Sequence, residues 1–356
     1  MGISRRTFLK GCTAAIGAAS AVSLPISAMA TGRLQPEPGA DGDVYIPYGE
    51  RTGGESMVWF TRDLSASGLR NIFARVRNAI HGKTAVKLHT GERNGPNIIP
   101  ASWVRELFEH DLPGAAIVET NAYYQGDRYT TSSHRETVRA NGWTFSPVDI
   151  LDENGTAMLP VRGGKWFSEI SVGRGLLSYD SLLVLSHFKG HAMGGFGGSN
   201  KNIGIGCADG RIGKAMIHTR PGEGKWSITA EEFMERMTES TKAVLDHFAP
   251  RLACINVLRN MSVSCDCEGL SAAPVVTPDI GIVASLDVLA VDQASVDLVF
   301  ALPEKDRTAL VERMSSRRGF RQLSCMKELS MGNDCYRLID IDDNDARIMP
   351  KDAVRG

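Results

Sequence analysis

The chain has 356 residues, 40 of them basic and 41 acidic, with a formal net charge of −1. Apolar residues make up 42% and charged residues 23%, a balance that excludes disorder, collagen and coiled coil as the main state. The length allows one large domain or two medium ones. Beyond residue 30 the chain holds 37 basic and 41 acidic residues, which argues against a nucleic-acid-binding protein.

The N-terminus resembles an export signal. The stretch S-R-R-T-F-L-K at 4–10 precedes an Ala-rich apolar run and a small-x-small cleavage site at 28–30. We therefore predict a twin-arginine signal peptide over 1–30, recognised by the twin-arginine translocase and exporting a folded protein to the periplasm or another extracytoplasmic space. A plain secretory signal and a short membrane anchor are the alternatives. Because no later apolar run is long enough, no stable membrane span is expected after cleavage.

The remaining chain alternates strand and helix signals. Residues 31–56, rich in glycine, proline and acidic residues, predict a flexible tail before a domain at 57–356. β-prone runs predict strands at 57–60, 84–88, 115–119, 182–185, 252–258 and 280–284. Helical spacing predicts helices at 69–80, 104–108, 229–248, 288–300 and 307–314. This order predicts an α/β fold, a mostly parallel sheet flanked by helices, in one large domain or in two lobes.

The segment at 186–206 follows a buried-type strand and holds seven glycines within residues 190–206. Glycine lets a backbone approach a ligand closely, and in α/β proteins ligands bind beyond strand ends. The segment has neither the dinucleotide nor the phosphate-loop pattern. The predicted catalytic residues here are His187, Lys189 and His191. The predicted cofactor-binding residues are Gly195, Gly197, Gly198, Lys201 and Asn202.

A second predicted catalytic group lies at the end of the 84–88 strand. Alternation places Lys87 and His89 on the same side of that strand, and Glu92 follows in the loop. An amine, an imidazole and a carboxylate suit proton transfer or metal binding. The alternative is an ordinary charged surface loop. The Arg317–Arg318 pair is also interpreted as solvated surface.

Six cysteines follow the predicted cleavage site, and few disulfides are expected in a chain that folds before export. Cys265 and Cys267 are too close in sequence to bridge without strain. Imidazole suits transition metals, so we predict that a divalent transition metal binds at the central site with His191 or His218 as a ligand. Cys265 and Cys267 are further candidate metal ligands, since thiolates suit copper, zinc or iron. The alternative for the two cysteines is a turn with half-buried thiols.

Several separated motifs resemble one family. They are H-F-K-G-H at 187–191 with the glycine-rich stretch behind it, V-K-L-H-T-G-E at 86–92, E-T-N at 119–121, N-M-S-V-S-C-D-C at 260–267 and P-D-I-G at 278–281. In this order they resemble the family of domain of unknown function 362, from about residue 57 to 339. Many members insert a ferredoxin-like module with paired C-x-x-C runs. This chain has no C-x-x-C, so no internal ferredoxin-type iron–sulfur cluster is expected.

A weaker resemblance is to the nickel-pincer lactate racemases. These enzymes also place a histidine before a glycine-rich turn with a lysine, and another histidine beyond it. The resemblance implies that Lys201 holds a nucleotide-derived cofactor and that His218 ligates nickel. His134–Arg135 resembles an upstream pair. The chain departs from that pattern at 202–204 and in its extra Lys189.

Two functions remain open from the sequence. The first is an exported metal- or cofactor-dependent enzyme, redox or isomerising, whose site lies on the central segment. The second is a periplasmic metal- or cofactor-binding or partner-docking protein without catalysis. The small-molecule ligand is not named by the sequence.

Overall fold

The computed structural model describes residues 44–355, and a sheet of nine strands runs through it. Two separate two-stranded hairpins accompany this sheet. The strands of the sheet and the hairpins together are β1 (Glu55–Thr61), β2 (Thr84–Leu88), β3 (Ala116–Glu119), β4 (Val148–Ile150), β5 (Thr156–Pro160), β6 (Glu169–Gly173), β7 (Ser181–His187), β8 (Lys189–His191), β9 (Gly195–Gly197), β10 (Leu252–Leu258), β11 (Gly281–Ser285), β12 (Cys335–Asp340) and β13 (Ala346–Ile348).

Helices cover both faces of this sheet. They are α1 (Ala66–Val76), α2 (Ala101–Asp111), α3 (Thr131–Ala140), α4 (Ser199–Gly206), α5 (Gly213–His218), α6 (Ala230–Phe248), α7 (Val288–Ala301), α8 (Glu304–Ser316), α9 (Arg321–Glu328) and α10 (Pro350–Ala353), with 3-10 turns at Arg77–Ala79, Arg174–Ser178 and Asp266–Ser271. Among the helices of residues 44–355, none has the length and apolar character needed to cross a membrane.

The sheet order is β13-β12-β1-β11-β10-β7-β2-β3-β4, with β5–β6 and β8–β9 as the hairpins. Within residues 44–355 the sheet has five parallel pairs, β12–β1, β10–β7, β7–β2, β2–β3 and β3–β4. The pairs β13–β12, β1–β11 and β11–β10 are antiparallel. The predicted mostly parallel α/β sheet is confirmed.

The sheet separates two apolar cores. Successive residues of a strand point to opposite faces, so in β2 Ala85 belongs to one core and Val86 and Leu88 to the other. Helices α1 and α2 pack on one face, and α6 and α7 on the opposite face. Since all seven residues of β7 are buried, this strand is covered on both faces. One continuous sheet makes the described residues a single domain.

The parallel block β10-β7-β2-β3 positions the candidate site. The carboxyl ends of parallel strands meet at one edge of a sheet, the usual ligand side of α/β folds. Strand β2 ends at Leu88, β3 ends at Glu119 and β7 ends at His187. This edge therefore carries the ends of three strands that bear predicted site residues or their neighbours.

The predicted elements of the domain are mostly confirmed. Strands β2 and β10 have the predicted bounds, and α6 begins at a capping box formed by Thr229 and Glu232. The predicted signal peptide 1–30 and residues 31–43 of the predicted tail lie outside the described residues.

The described part of the predicted tail is packed on the domain. Tyr45 stacks on Phe300 with ring centroids 3.6 Å apart, and Arg51 pairs with the buried Asp297. Strand β1 begins at Glu55. The folded part of the chain therefore starts before residue 57, because aromatic and ionic contacts with α7 hold this segment.

Candidate functional site

The central segment reverses direction after β7 and then enters a helix. Lys189 lies on β8, and Lys201 lies on α4. A side chain at Gly190 would place a Cβ 2.5 Å from the carbonyl oxygen of Val263, so only glycine permits this close approach. The approach brings the loop that carries Cys265 against the β8–β9 hairpin.

A cavity of about 360 Å³ opens at the strand ends and joins residues from several separate segments. The predicted residues that line it are Lys87, His89, Glu92, His187, Lys189, His191, Gly197, Gly198, Lys201, Asn202, His218, Cys265 and Cys267. Gly195 does not line it. Its φ of +72° and the 2.7 Å between its ideal Cβ position and the Gly319 Cα give this glycine a packing role.

Lys87 and Glu119 form a buried ion pair on the cavity wall. Lys87 Nζ lies 2.8 Å from a Glu119 oxygen and also donates to the Asn202 side chain and the Leu88 carbonyl. Burial opposes ionisation of Glu119, but the Lys87 charge and the His89 hydrogen bond hold its pKa well below the ordinary value. These contacts fix α4 against the end of β2.

His89 lies beside Glu119 with its ring partly open to the cavity. Its Nδ1 is 3.4 Å from Glu119 Oε1 and equally far from the Gly91 backbone nitrogen. Donation from Nδ1–H to the ionised carboxylate is the stronger of these two arrangements. It leaves Nε2 as an acceptor, and among residues 44–355 Nε2 has no hydrogen-bond partner. His89 is therefore arranged as a proton acceptor facing the cavity.

Glu92 is held as a carboxylate on the same wall. Arg128 Nε donates to it at 3.0 Å, and the Tyr124 hydroxyl donates to it as well. Burial opposes ionisation, but the Arg128 charge and these two donors lower the Glu92 pKa. Glu92 is thus a fixed counter-charge rather than the exposed loop residue of the alternative interpretation.

His187 and Lys189 both contact Asp266. His187 Nδ1 and Lys189 Nζ each lie 2.9 Å from an Asp266 oxygen, and all three side chains are buried. Burial opposes ionisation of Asp266, yet His187 and Lys189 hold its pKa well below the ordinary value. His187 Nε2 faces the Arg259 carbonyl at 2.6 Å, so both its ring nitrogens are engaged. His187 consequently orients the cysteine loop and presents no free nitrogen to a ligand.

His191, Cys265 and Cys267, here called the donor group, lie together on one wall of the cavity. One potential ligand atom from each lies within 4.8 Å of the other two. The Cys267 thiol donates a hydrogen bond to the Cys265 sulfur. This hydrogen bond and the charge of Lys201 hold the Cys265 pKa well below its ordinary value. The same hydrogen bond and burial raise the Cys267 pKa. Cys265 is therefore the more readily ionised of the two thiols.

The backbone fixes the tautomer of His191. Its Nδ1 accepts hydrogen bonds from the N–H groups of Met193 and Gly194 at 3.1 and 2.8 Å. Nε2 must then carry the proton of the neutral ring. Burial and the charge of Lys201 lower the His191 pKa to about 4, so the ring is neutral near pH 7.

His218 lines the cavity among aromatic side chains, outside the donor group. Its ring stacks on Tyr123 and meets Trp226 and Phe233, with centroids 5.8, 4.9 and 5.1 Å away. Nδ1–H donates to the Lys214 carbonyl at 2.7 Å, which leaves Nε2 with a free lone pair. Burial lowers the pKa to about 3. This tautomer suits a metal ligand, but His218 lies apart from the donor group in the described chain.

Some residues that line the cavity or support its wall were missed by the sequence analysis. Glu119 closes a predicted strand and Asp266 lies between the two cysteines, and these positions were the available signals. Arg128 and Lys214 belong to no pattern. Arg317, interpreted from the sequence as solvated surface, lines the cavity, and its Nε is buried. That interpretation was wrong because a charge pair carries no local sign of tertiary packing.

His134 lies behind the cavity and predicts a pH effect on stability. It is 0% exposed, and burial and the Arg128 charge lower its pKa to about 3. In the unfolded chain the pKa is about 6.5, so acid favours unfolding as the pH falls from 6.5 towards 3. From pH 7 to 5, His134 alone should lower the free energy of unfolding by about 2 kcal/mol.

Urea unfolding of the wild type and of His134→Gln at both pH values measures this contribution. The decrease between pH 7 and 5 should be smaller in the variant by about 2 kcal/mol. Comparing two pH values within each protein removes any constant effect of the substitution. Equal decreases would show that His134 is not buried in neutral form.

Two of the solved structures that resemble this chain have low sequence identity to it. The structure of the lactate racemase apoprotein from Thermoanaerobacterium thermosaccharolyticum is 12% identical, with a TM-score of 0.37 over 83% of this chain and 87% of that chain. A crystal structure of a protein from Thermotoga maritima is 13% identical, with a TM-score of 0.32 over 54% of this chain and 49% of that chain. At these scores neither structure shows what this chain binds. No curated protein sequence matches the chain.

The model of one protein family matches residues 84–297, more than half of the chain. The matched region runs from β2 to the middle of α7 and contains every predicted site residue. It is shorter than the stretch from 57 to 339 over which the motifs were expected. The chain belongs to the family of domain of unknown function 362, DUF362.

Proposed function

We propose that the protein is an exported enzyme that depends on a divalent transition metal or an organic cofactor. The observation that carries the proposal is the donor group on the wall of a cavity of about 360 Å³. Export rests on the sequence at 4–10. The twin-arginine route carries folded proteins, which suits a chain loaded with its cofactor before it leaves the cytoplasm.

The donor group fits a transition metal by its chemistry. Two sulfurs and an imidazole are donors for zinc, nickel, copper or iron. Three protein ligands leave a coordination position for substrate, as in catalytic rather than structural sites. With Nδ1 held as an acceptor, His191 would hold a metal through Nε2 only by releasing the Nε2 proton to solvent, and the N–H groups of Met193 and Gly194 would stabilise the resulting negative charge on Nδ1. A metal bound there would act as a Lewis acid towards a substrate oxygen.

The groups around the donor group favour an enzyme over a carrier. A carrier needs only a closed set of ligands, whereas here His89 presents a proton acceptor to a cavity large enough for an organic molecule. Lys87, Glu119 and Asn202 hold the adjoining wall rigid through buried hydrogen bonds. Lys201 lies beside the donor group, where its charge acts on His191 and Cys265. An isomerising or redox reaction is compatible with this arrangement.

Metal content and intact mass of protein purified from its native host test the proposal. We expect stoichiometric metal, or a covalent mass addition on Lys201, in the wild type. Metal should be lost from His191→Ala and Cys265→Ser and retained in Cys335→Ser, a half-buried cysteine outside the cavity. Protein with neither metal nor added mass, or equal metal in all four samples, would contradict the proposal.

A further inference from the structure

The charges on the cavity wall are not balanced. Three cations are each paired with a carboxylate: Lys87 with Glu119, Arg128 with Glu92 and Lys189 with Asp266. Four other cations line the cavity without a carboxylate partner among residues 44–355: Lys201, Lys214, Arg313 and Arg317. Since charged groups taken out of water are normally paired, this excess favours the binding of an anion.

Lys214 is the most buried of the four, at 5% exposure. Its ammonium donates to two neutral oxygens, the Thr120 hydroxyl at 2.7 Å and the Asn121 carbonyl at 2.5 Å. Burial lowers its pKa to about 8, so it remains mostly protonated at neutral pH. An ammonium has three protons, and a third is left for a ligand.

Arg313 and Arg317 lie one helical turn apart at the C-terminal end of α8. Both are half-buried and line the same cavity. Nε of Arg317 is buried and has no hydrogen-bond partner among the described residues. Leaving such a donor unsatisfied costs free energy that a bound acceptor would recover.

One further carboxylate lines the same cavity. Glu268 lines the cavity and accepts from the Ser264 hydroxyl and the Cys265 backbone at 2.8 and 3.1 Å. Four cations against this one carboxylate leave a positive excess of about three charges, enough to hold a dianion.

The rest of the wall suits an organic molecule. Tyr123, Trp226 and Phe233 line the cavity around His218 and present apolar ring surfaces. A cavity of about 360 Å³ lies within the range of small-molecule sites. A ring stacked on these side chains would leave its charged group free to meet the cations.

We propose that the cavity binds a small organic dianion, with its charged groups at Lys201, Lys214, Arg313 and Arg317 and its apolar part on the aromatic side chains. This ligand class deepens the proposed function and rests on it, because the same cavity holds the donor group. A phosphate monoester and a dicarboxylate share the required charge, and the experiment separates them.

Calorimetric titration of the full chain near neutral pH tests the proposal with four probes. Phenyl phosphate and phthalate are dianions, benzoate is a monoanion, and benzyl alcohol is uncharged. At least one dianion should bind roughly tenfold or more tightly than benzoate, since a charged hydrogen bond contributes about 1.5–3 kcal/mol. Benzyl alcohol should bind most weakly. Preference for phenyl phosphate identifies a phosphate ester, and preference for phthalate a dicarboxylate.

Lys201→Gln and Arg317→Gln should each weaken binding of the preferred dianion roughly tenfold. Arg307→Gln is the matched control, because Arg307 lies on α8 over the Phe300 ring and outside the cavity. Equal affinities for dianions and benzoate would overturn the proposal, and so would equal weakening by Arg307→Gln. If a variant fails to fold, the wild-type comparison of probes still decides.

Metal content measured on the same samples separates the two proposals. Metal-free protein that still prefers dianions through Lys201 and Arg317 would support this inference while contradicting a metal centre. Protein that holds metal but does not distinguish dianions from benzoate would contradict this inference alone.

Discussion

Replacement of Lys87 by methionine is expected to lower the free energy of unfolding by about 3–5 kcal/mol. Lys87 and Glu119 are 1% and 3% exposed, and their charged atoms lie 2.8 Å apart. Methionine fills a similar volume but leaves the Glu119 carboxylate buried without its main counter-charge. The Asn202 side chain also loses a donor. The protein should therefore lose much of the stability that the contact between β2 and α4 provides.

Lys327→Met is the matched control for Lys87→Met. Lys327 pairs with Asp334 at 2.7 Å, but its side chain is 53% exposed, so its loss should cost about 0–1 kcal/mol. Chemical denaturation of both variants and of Lys87→Met/Glu119→Gln measures the difference. The double variant should recover part of the loss because no buried charge is left unpaired. Similar small losses in both single variants would show that the cavity wall is solvated.

Asp266→Asn is expected to have a comparable effect on stability and a second effect on metal binding. The carboxylate is the shared partner of His187 and Lys189, so neutralising it leaves two buried donors without a counter-charge. We expect a loss of about 3–5 kcal/mol. Asp266 also positions the cysteines on either side of it, and loss of such an outer partner typically weakens metal binding roughly ten- to hundredfold.

Asp279→Asn is the control for Asp266→Asn. Asp279 is exposed and accepts from the Asn260 backbone at 2.6 Å in the same region of the chain. Its replacement should change stability by about 1 kcal/mol or less and leave metal affinity unchanged. Denaturation and metal titration of both variants separate the two positions. Unchanged metal affinity in Asp266→Asn would show that this carboxylate does not position the donor group.

The fold was predictable because local patterns determine it. An apolar run predicts β2, and helical spacing with a capping box predicts α6. Each of these patterns lies within a short stretch of the chain. The glycine-rich segment was recognisable as a site for a similar reason, since its unusual composition is local. The strand ends then predicted which segments would meet, because parallel neighbours end at the same edge.

The pairing within the site was not predictable from the same patterns. His187 meets Asp266 across 79 positions, and Lys87 meets Glu119 across 32. Which acidic group pairs with which basic group depends on tertiary packing. The sequence around a cavity arginine such as Arg317 therefore looks the same as the sequence around a surface arginine. The sequence predicts His218 as a candidate metal ligand, but no local pattern shows that α5 sets its ring among aromatic side chains.

X-ray absorption spectroscopy at the metal edge of the natively purified protein tests the central claim most directly. If the metal is zinc, the account predicts two sulfur ligands at about 2.3 Å and a nitrogen ligand at about 2.0–2.1 Å. The sulfur contribution should fall by half in Cys267→Ser. A bound metal with only nitrogen and oxygen ligands, or a spectrum unchanged in that variant, would contradict a centre at His191, Cys265 and Cys267.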